Sequence, residues 1–600
     1  MRRLLPIIII LLLLLPVVFP LFTPFVRGTA DGLAHKFRVV SFVRSLREGT
    51  LRPRWLADQA MWYGSPMFLF NYLTPYYAIG ALILAGISVN TATQIYIALT
   101  IISSGLTMYL LARQLWGDKA GIVAAIAYAA APYHLLAAYV YEGWGEITAF
   151  VFPPMILYLS LNFTMLQFHN ATKHKTLLEH WNIGTLLHFA TLVATWFLFI
   201  LSHNPSVIML TPVVVILSIL MTRHSRESGN PVIQLNGSRI KCGMTSVILI
   251  AFITAVFLSA FFWLPAVTLN HLTNYPTLIA KEALMRPTFF KSIEMIVLTA
   301  VDTLRKGNVD FRDFTVGLPI LVGVVVVLSH LGYLGYLRLK KKKTFMESMG
   351  AVVGLLVIFF ISLYLASFSS NWLWDAFPPL NFIVYPFRFL FPATFAGSLL
   401  VGYIGRKHLI VMVGFTIFCL MASLPYTRPT IDVFSFSNDY FYQPQTIVYA
   451  PGTKMNMATV EFLPTTANRE FLQSVEDKYI ATRKPGEKFI FTDTAAITEQ
   501  IIRTEFQSVT FEATRDQLLT INTHAFPNWE AKLDGMFHPL HKDLEGRITT
   551  AVPVGKHTLL LHFGKLPIES VADGISLFTL LGLATAIVLP RLQYIWRKRN

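Results

Sequence analysis

Long apolar runs recur along the chain, and short polar stretches separate them. Runs of roughly 17 to 24 apolar residues are long enough to cross the hydrocarbon layer of a membrane as α-helices. The pattern therefore predicts a polytopic α-helical membrane protein with about twelve transmembrane helices. The predicted spans are residues 4–22, 93–112, 120–140, 147–165, 183–201, 206–222, 245–268, 316–337, 347–368, 388–404, 408–424 and 573–590.

Lys and Arg residues in the connecting segments predict the orientation of these helices, because basic loops stay on the cytosolic side. Both termini are then cytosolic, as expected for a multi-pass protein of the bacterial inner (plasma) membrane. The first run follows Met1-Arg2-Arg3 and lacks a clear cleavage site, so we interpret it as a retained anchor. The basic segments are residues 113–119, 167–181, 223–241, 338–343, 406–407 and 591–600.

This orientation depends on residues 73–88, which are also apolar. Counting them as a span would invert every later loop and turn Lys340 to Lys343 outward. We therefore expect a helix that lies along the outer membrane surface or enters it only partway. The predicted outer regions are residues 23–92, 141–146, 269–315 and 426–571.

The last outer region is long enough to form a domain. It contains short alternating or β-branched runs separated by turn signals such as Asp534-Gly535, which predicts an extracytoplasmic antiparallel β-sandwich. The chain thus divides into a membrane part (1–424), a β-rich domain (425–571) and a final helix with a basic tail (572–600). The predicted strands lie in Gln500–Phe511, Gln517–His524, Trp529–Asp534, Arg547–Val552 and Lys556–Phe563.

Composition supports the membrane class and narrows the function. Hydrophobic residues make up 54% of the chain and charged residues 14%, whereas soluble globular proteins carry about 25% charge. The net charge of +16 arises mostly from short basic loops, so it indicates membrane topology and not nucleic-acid binding. The two cysteines, Cys242 and Cys419, provide neither a disulfide framework nor a thiolate metal site.

Asp31 is the first candidate catalytic residue. It follows the first span closely, so its carboxylate is expected just outside the membrane. Sugar transfer from a polyprenyl phosphate needs a base that takes the proton of the acceptor. Asp31 suits that role, although an Asp in this position also suits the N-cap of the helix that begins at Gly32.

The loop Tyr141-Glu-Gly-Trp-Gly-Glu146 is the second candidate. It packs two carboxylates, two aromatic rings and two glycines into a short outer hairpin. Glu142 or Glu146 is suited to bind a sugar hydroxyl or, together with Asp31, a divalent metal such as Mg²⁺ or Mn²⁺. The alternative is an interfacial aromatic belt with one helix-capping acid.

A departing phosphate needs a cation near the outer surface. Arg388 lies at the outer mouth of a span, where a guanidinium is costly unless it meets an anion or reaches water. His203 is more typical of a structural turn, and Lys281 and Arg286 are more typical of a solvated helix face. The candidate substrate-binding residues are His35, Arg52, Arg54, His203 and Arg388.

No P-loop, GxGxxG, HExxH, GxSxG or CxxC motif occurs, so the sequence predicts no nucleotide, zinc or acyl-enzyme site. A transferase that works outside the membrane cannot draw on cytosolic nucleotide sugars. A lipid-linked sugar is therefore the expected donor.

Several short segments resemble those of bacterial membrane proteins labelled "6-pyruvoyl-tetrahydropterin synthase-related". The order of the outer loops resembles the GT-C superfamily of polyprenyl-phosphate-sugar-dependent glycosyltransferases. The segments are Asp31-Gly-Leu-Ala-His35, Tyr141-Glu-Gly-Trp-Gly-Glu146, Ser202-His-Asn-Pro205, Phe526-Pro-Asn-Trp529 and Val554-Gly-Lys-His557.

This resemblance implies a GT-C-like fold, with the catalytic acid at Asp31 and the second acidic loop at Glu142 or Glu146. It implies three partners: the lipid bilayer, a polyprenyl-phosphate sugar donor, and a glycan, lipid or protein acceptor. In the GT-C pattern the first outer loop often holds an acidic pair, whereas here Gly32 follows the acid. The missing second acid weakens the expectation that the protein depends on a metal.

Two other functions stay open. A lipid or polysaccharide transporter would carry ionisable residues in the middle of its spans, and the predicted spans have almost none. A non-catalytic assembly factor would bind a polysaccharide or a partner protein through the outer domain. It would not require Asp31 and Glu142 to cluster.

Overall fold

The computed structural model describes residues 4–173, 183–227, 239–339, 349–428, 433–434, 462–482 and 486–599. Lys340 to Lys343, on which the predicted orientation depends, lie outside the described residues, as do residues 435–461 of the predicted β-rich domain. Within the described ranges, each predicted span coincides with helical structure.

Eight helices among the described residues are long and apolar enough to cross a membrane. A ninth candidate is a pair of helices, Val247–Leu258 and Ala260–Leu272, bent by 65° at their junction. The predicted number of twelve is not confirmed, because the apolar helices Leu5–Leu21, Gly184–Ile200 and Gly350–Ala366 are shorter. The eight are Val89–Trp116, Asp118–Tyr141, Trp144–Phe163, Asn204–Met221, Leu318–Leu337, Pro386–Gly405, Leu409–Thr427 and Pro567–Ala586.

The apolar segment 73–88 contains the helix Thr74–Leu84, which has 11 residues. At 1.5 Å per residue it is about 16 Å long, roughly half of the hydrocarbon thickness. Such a helix is too short to cross a membrane. It packs against the helices Gly32–Arg47 and Val89–Trp116 and buries Tyr76. The orientation of the chain stays a prediction.

Small residues allow the central spans to pack closely. The helix Asp118–Ala129 packs against Val89–Trp116 and Leu390–Gly405, and Ala120, Ala124 and further alanines along it are buried. Small side chains let helix backbones approach each other where apolar lipid gives no hydrophobic driving force for association. The segments between the predicted spans add the helices Gly32–Arg47, Tyr275–Met285, Ile293–Lys306, Asn371–Ala376 and Arg469–Thr482.

Two antiparallel sheets form the described part of the C-terminal β-rich domain. The four-stranded sheet contains β3 (Phe489–Phe491), β6 (Gln517–His524), β10 (Arg547–Val552) and β9 (His541–Lys542), in that spatial order. The five-stranded sheet contains β4 (Ala495–Ile502), β5 (Phe506–Ala513), β11 (Gly555–Phe563), β7 (Trp529–Leu533) and β8 (Met536–His538). The short strands β1 (Val26–Arg27) and β2 (Val433–Phe434) form a separate pair.

The two larger sheets share one core. Leu519 and Ile521 of one sheet and Phe511 and Leu561 of the other belong to the same cluster of buried side chains. Alternating burial along these strands explains why their positions were predictable from the pattern of apolar residues.

The predicted strand Gln500–Phe511 is wrong, because the structure divides it into the hairpin of β4 and β5. Arg503 donates its N–H to the Phe506 carbonyl at 2.8 Å in the turn between them. Thr504 donates its N–H to Glu48 at 2.7 Å. The turn is therefore fixed by contacts with the first outer loop, which local alternation does not encode.

Arg54 joins the first outer loop to the β-rich domain. Its buried guanidinium pairs with Glu505 at 2.9 Å and with Glu569 at 3.2 Å. Trp55 beside it packs edge-on against Trp529, with ring centroids 5.4 Å apart. Buried charges are tolerated only when they are paired, so this network fixes the domain against the loop.

We expect Arg54→Met to destabilise the protein by about 3–5 kcal/mol, because Glu505 and Glu569 would stay buried without their partner. Thermal unfolding of the purified protein in detergent measures the effect. Arg515→Met is the matched control, since the Arg515 side chain is 71% exposed and surface pairs contribute at most about 1 kcal/mol. Equal melting temperatures for the two variants would contradict the network.

Candidate functional site

The turn before the first outer helix meets the loop 141–146. The Ala30 N–H donates to the Val140 carbonyl at 3.1 Å, and the Asp31 N–H donates to the Tyr141 carbonyl at 3.0 Å. These two main-chain bonds hold Asp31 beside the second acidic loop. Asp31 and the loop that carries Glu142 therefore lie together, an arrangement that a non-catalytic assembly factor would not require.

Asp31 occupies the N-cap position of the helix Gly32–Arg47, but its side chain makes no capping hydrogen bond. The Thr29 hydroxyl instead accepts the Gly32 N–H at 3.1 Å. Asp31 is exposed. Carboxylates that reach solvent are among the side chains that act as general bases toward a substrate hydroxyl.

Glu142 is buried and ties the two segments together. Its carboxylate pairs with Lys36 Nζ and accepts hydrogen bonds from Thr29 Oγ1 at 2.9 Å and Trp144 Nε1 at 3.3 Å. Its backbone adopts a φ of +55° at the end of the π-helical turn Ala137–Tyr141. This geometry favours a positioning role over the metal or acceptor ligand that the sequence suggested.

Glu146 and Arg388 form the charged part of the site. Tyr133 donates its hydroxyl to Glu146 Oε1 at 2.5 Å. Arg388 interacts electrostatically with Glu146. Tyr141 interacts electrostatically with both of these residues and with Asp31. Two carboxylates and one guanidinium thus lie within electrostatic range of a single tyrosine.

Arg388 is oriented by the backbone and keeps one donor unused. Its Nη1 donates to the Ile383 carbonyl at 2.6 Å, and its guanidinium lies 5.0 Å from the centre of the Tyr385 ring. Its Nε is buried without a hydrogen-bond partner in the described part of the chain. Val384 has a φ of +69°, which is costly for a β-branched residue and typical of functional sites. A buried donor without a protein partner needs an acceptor, such as a water molecule or an anion.

Aromatic rings surround Tyr141. Its hydroxyl donates to the Phe311 carbonyl at 2.8 Å, and its ring stacks with Phe314 and Phe387 at centroid distances of 6.1 and 5.8 Å. Tyr385 stacks on Phe387 at 5.3 Å. Part of the outer region 269–315 therefore covers the site, and aromatic faces suit both sugar rings and lipid groups.

His35 lies in an aromatic cage. Its Nδ1 and Nε2 form hydrogen bonds with the hydroxyls of Tyr76 at 2.8 Å and Tyr72 at 3.1 Å, and its ring stacks on Trp144 at 5.0 Å. Burial, with the charge of Arg38, holds the pKa of His35 well below its usual range. Because both nitrogens are engaged, the cage favours a packing role over direct substrate contact.

His203 lies closer to the charged part of the site. Its Nδ1 forms a hydrogen bond with Ser206 Oγ at 2.7 Å, and its ring packs edge-on against Tyr72. Burial and then the charge of Arg388 hold the pKa of His203 well below its usual range. A neutral imidazole in this position stabilises the turn between two helices through its hydrogen bond with Ser206.

Arg52 and Arg54 are not brought to this site. Arg52 pairs with Asp573 at 2.6 Å, and Arg54 belongs to the junction with the β-rich domain. Arg286, expected on a solvated face, is buried and donates to Asn381 at 2.7 Å, whereas Lys281 is exposed. Arg52, Arg54 and Arg286 thus join segments that are far apart along the chain.

The proposed metal ligands Asp31, Glu142 and Glu146 do not form a common ligand set. Lys36 neutralises Glu142, whose oxygens are already engaged. Among the described residues, no group of three or more His, Cys, Asp or Glu side chains is arranged to hold a metal ion. These three carboxylates therefore do not fit the divalent metal ion that the sequence suggested.

Three residues of the site were not predicted from the sequence: Lys36, Thr29 and Tyr133. Lys36 and Glu142 carry opposite charges in two outer segments, which was the available signal. However, nothing in the sequence decides which of the loop's two acids pairs with the lysine. Thr29 and Tyr133 gave no signal that distinguishes them from other polar residues near helix ends.

No family model matches the sequence, and no curated protein matches it. Solved structures with a similar shape include the arabinofuranosyltransferase AftD from Mycobacteria (14% identity, TM-score 0.40) and the Archaeoglobus fulgidus oligosaccharyltransferase (15% identity, TM-score 0.38). The alignments cover 73% and 71% of this chain but only 28% and 53% of those proteins. TM-scores below 0.5 support no argument about function, and membership of the GT-C superfamily or of the synthase-related family stays a prediction.

Gly32 has a steric reason to be glycine. A Cβ at this position would collide with the carboxylate of Glu142 and the hydroxyl of Thr29. The space beside position 32 is thus filled by the acid of another loop.

We expect Gly32→Ala to destabilise the protein by about 1–3 kcal/mol, because the added methyl group overpacks the buried Lys36–Glu142 pair. Thermal unfolding in detergent tests this expectation. Gly332→Ala is the control, since a Cβ at Gly332 meets no atom within 4 Å. A Gly32→Ala variant as stable as the parent would show that the two segments are not packed as described.

Proposed function

We propose that this protein is a membrane glycosyltransferase that moves a sugar from a polyprenyl-phosphate-linked donor to an extracytoplasmic glycan, lipid or protein. The observation that carries the proposal is that exposed Asp31, Glu146 and Arg388 all interact electrostatically with Tyr141, while the main chain of Asp31 is bonded to the loop 141–146. The proposal includes cytosolic termini and an outward-facing β-rich domain, as the basic loops predict.

The residues fit the demands of such a transfer. The acceptor hydroxyl attacks the anomeric carbon, the bond from that carbon to the phosphate oxygen breaks, and the electron pair leaves with the polyprenyl phosphate. Asp31 takes the proton of the acceptor, since it is the exposed carboxylate of the cluster. Arg388 stabilises the negative charge of the leaving phosphate through its guanidinium.

Glu146 contributes through its position between Tyr133 and Arg388. Its carboxylate balances the buried guanidinium and is near enough to interact with Tyr141. In this role it orients Arg388 or receives a hydroxyl of the sugar. Glu142 acts indirectly, as a positioning residue, because its ion pair with Lys36 fixes the backbone that carries Asp31.

We expect Asp31→Asn to lower transfer by about 10²–10⁴-fold, the usual contribution of a general base. Purified protein is incubated with radiolabelled polyprenyl-phosphate sugars and cell-envelope acceptors, and loss of donor is measured. Asp477→Asn, which changes an exposed carboxylate of the helix Arg469–Thr482, should keep full activity. Donor turnover that is equal in both variants would remove Asp31 from the mechanism, and absence of turnover in the parent would favour the assembly factor.

We expect Arg388→Gln to lower transfer by about 10²–10³-fold, because charge stabilisation of the leaving phosphate is lost. Arg388→Lys should recover part of the rate, since the charge stays but the planar fork is lost. Initial rates at saturating donor provide the comparison. Arg305→Gln is the control, because the Arg305 side chain is 77% exposed on an outer helix. If Arg388→Lys recovers no activity and Arg388→Gln is unfolded, Arg388 has a structural role.

A further inference from the structure

A cavity of about 560 Å³ opens in the β-rich domain, away from Asp31 and Arg388. It lies between the edge strands β8 and β9, each at the outer end of its sheet, and the segment 464–466 and Leu272 close its other side. Its volume falls within the roughly 300–1,000 Å³ typical of small-ligand sites. The proposed transfer does not use it.

The wall of this cavity contains an unused donor. Trp529 lines the cavity, only 6% of its surface is exposed, and in the described part of the chain its buried Nε1 has no hydrogen-bond partner. Buried indole N–H groups normally have a partner. A ligand oxygen that reaches this nitrogen would supply one.

The rim is aromatic and basic. Phe537 lines the cavity with 77% of its surface exposed, which is unusual for a large apolar ring. His541 and Lys542 also line it, and in the described part of the chain no ion pair or side-chain hydrogen bond engages either of them. His538 bonds through Nε2 to the Ala551 carbonyl at 2.7 Å and so fixes β8 against the other sheet.

The chemistry of the lining selects the class of ligand. An exposed ring offers a flat apolar face, and the unused donors favour a ligand rich in oxygen acceptors. An extended peptide would need a longer sheet edge, because β8 has three residues, β9 has two, and Pro539 lies between them. The combination of flat faces and many acceptors is typical of a saccharide.

We propose that this cavity binds a saccharide, with a uronate-containing chain preferred over a neutral one because of Lys542. The wall residue Leu272 lies three residues before Tyr275, which interacts electrostatically with Arg388 of the candidate site. The segment 272–275 therefore leads from the cavity wall to a residue within electrostatic range of Arg388. The cavity holds the acceptor chain while its end reaches Asp31; this last assignment alone rests on the proposed function.

Binding of oligogalacturonate and of a malto-oligosaccharide of equal length to the full chain in lipid nanodiscs tests the proposal by calorimetry. Phe537→Ala should weaken binding about three- to tenfold, as expected for one aromatic contact, and Trp529→Phe should weaken it without unfolding the domain. Met536→Ala is the matched control, because Met536 is 74% exposed on the same hairpin but does not line the cavity.

Binding of neither saccharide would overturn the proposal, as would equal affinities of Phe537→Ala and Met536→Ala. Tighter binding of the neutral chain would overturn the role of Lys542. Asp31→Asn should bind both saccharides as the parent does. Saccharide binding that persists without any sugar transfer would therefore contradict the transferase and leave the cavity assignment intact.

Discussion

The buried pair of Lys36 and Glu142 is the contact on which the candidate site depends. It joins the first outer helix to the loop after the fully buried span, and the main-chain bonds of Ala30 and Asp31 lie beside it. A buried ion pair is costly to form but very costly to break by removing one partner. The pair therefore fixes the relative position of two segments that are more than a hundred residues apart, and Asp31 gains its defined place from it.

A second charged network performs the same task further along the first outer loop. Arg54 with Glu505 and Glu569 attaches the β-rich domain and the start of the last span to the loop. The loop is thus held at two places by buried charges. Beyond Arg54, Trp55 and the helix Thr74–Leu84 bury aromatic and aliphatic surface. A rigid outer loop on a helical base suits a site that must position a lipid-linked substrate precisely enough for reaction.

Apolar length and alternation were sufficient to predict the helical class, the places of the helices and strands such as Gln517–His524. They were not sufficient for the role of single charges. Arg52, Arg54 and Arg388 look alike in the sequence, yet only Arg388 reaches the acidic loops, because pairing partners come from segments far along the chain. Glu142 and Glu146 differ by four positions and receive different roles for the same reason. The turn at Thr504 was missed since its partner, Glu48, belongs to the first outer loop.

The most direct measurement is an electron cryo-microscopy map of the protein in nanodiscs with a polyprenyl phosphate. The account predicts the phosphate at the guanidinium of Arg388, on the same side of the membrane as the carboxylate of Asp31. A phosphate bound instead at Arg52, or a map with Asp31 and Arg388 on opposite sides of the membrane, would contradict it.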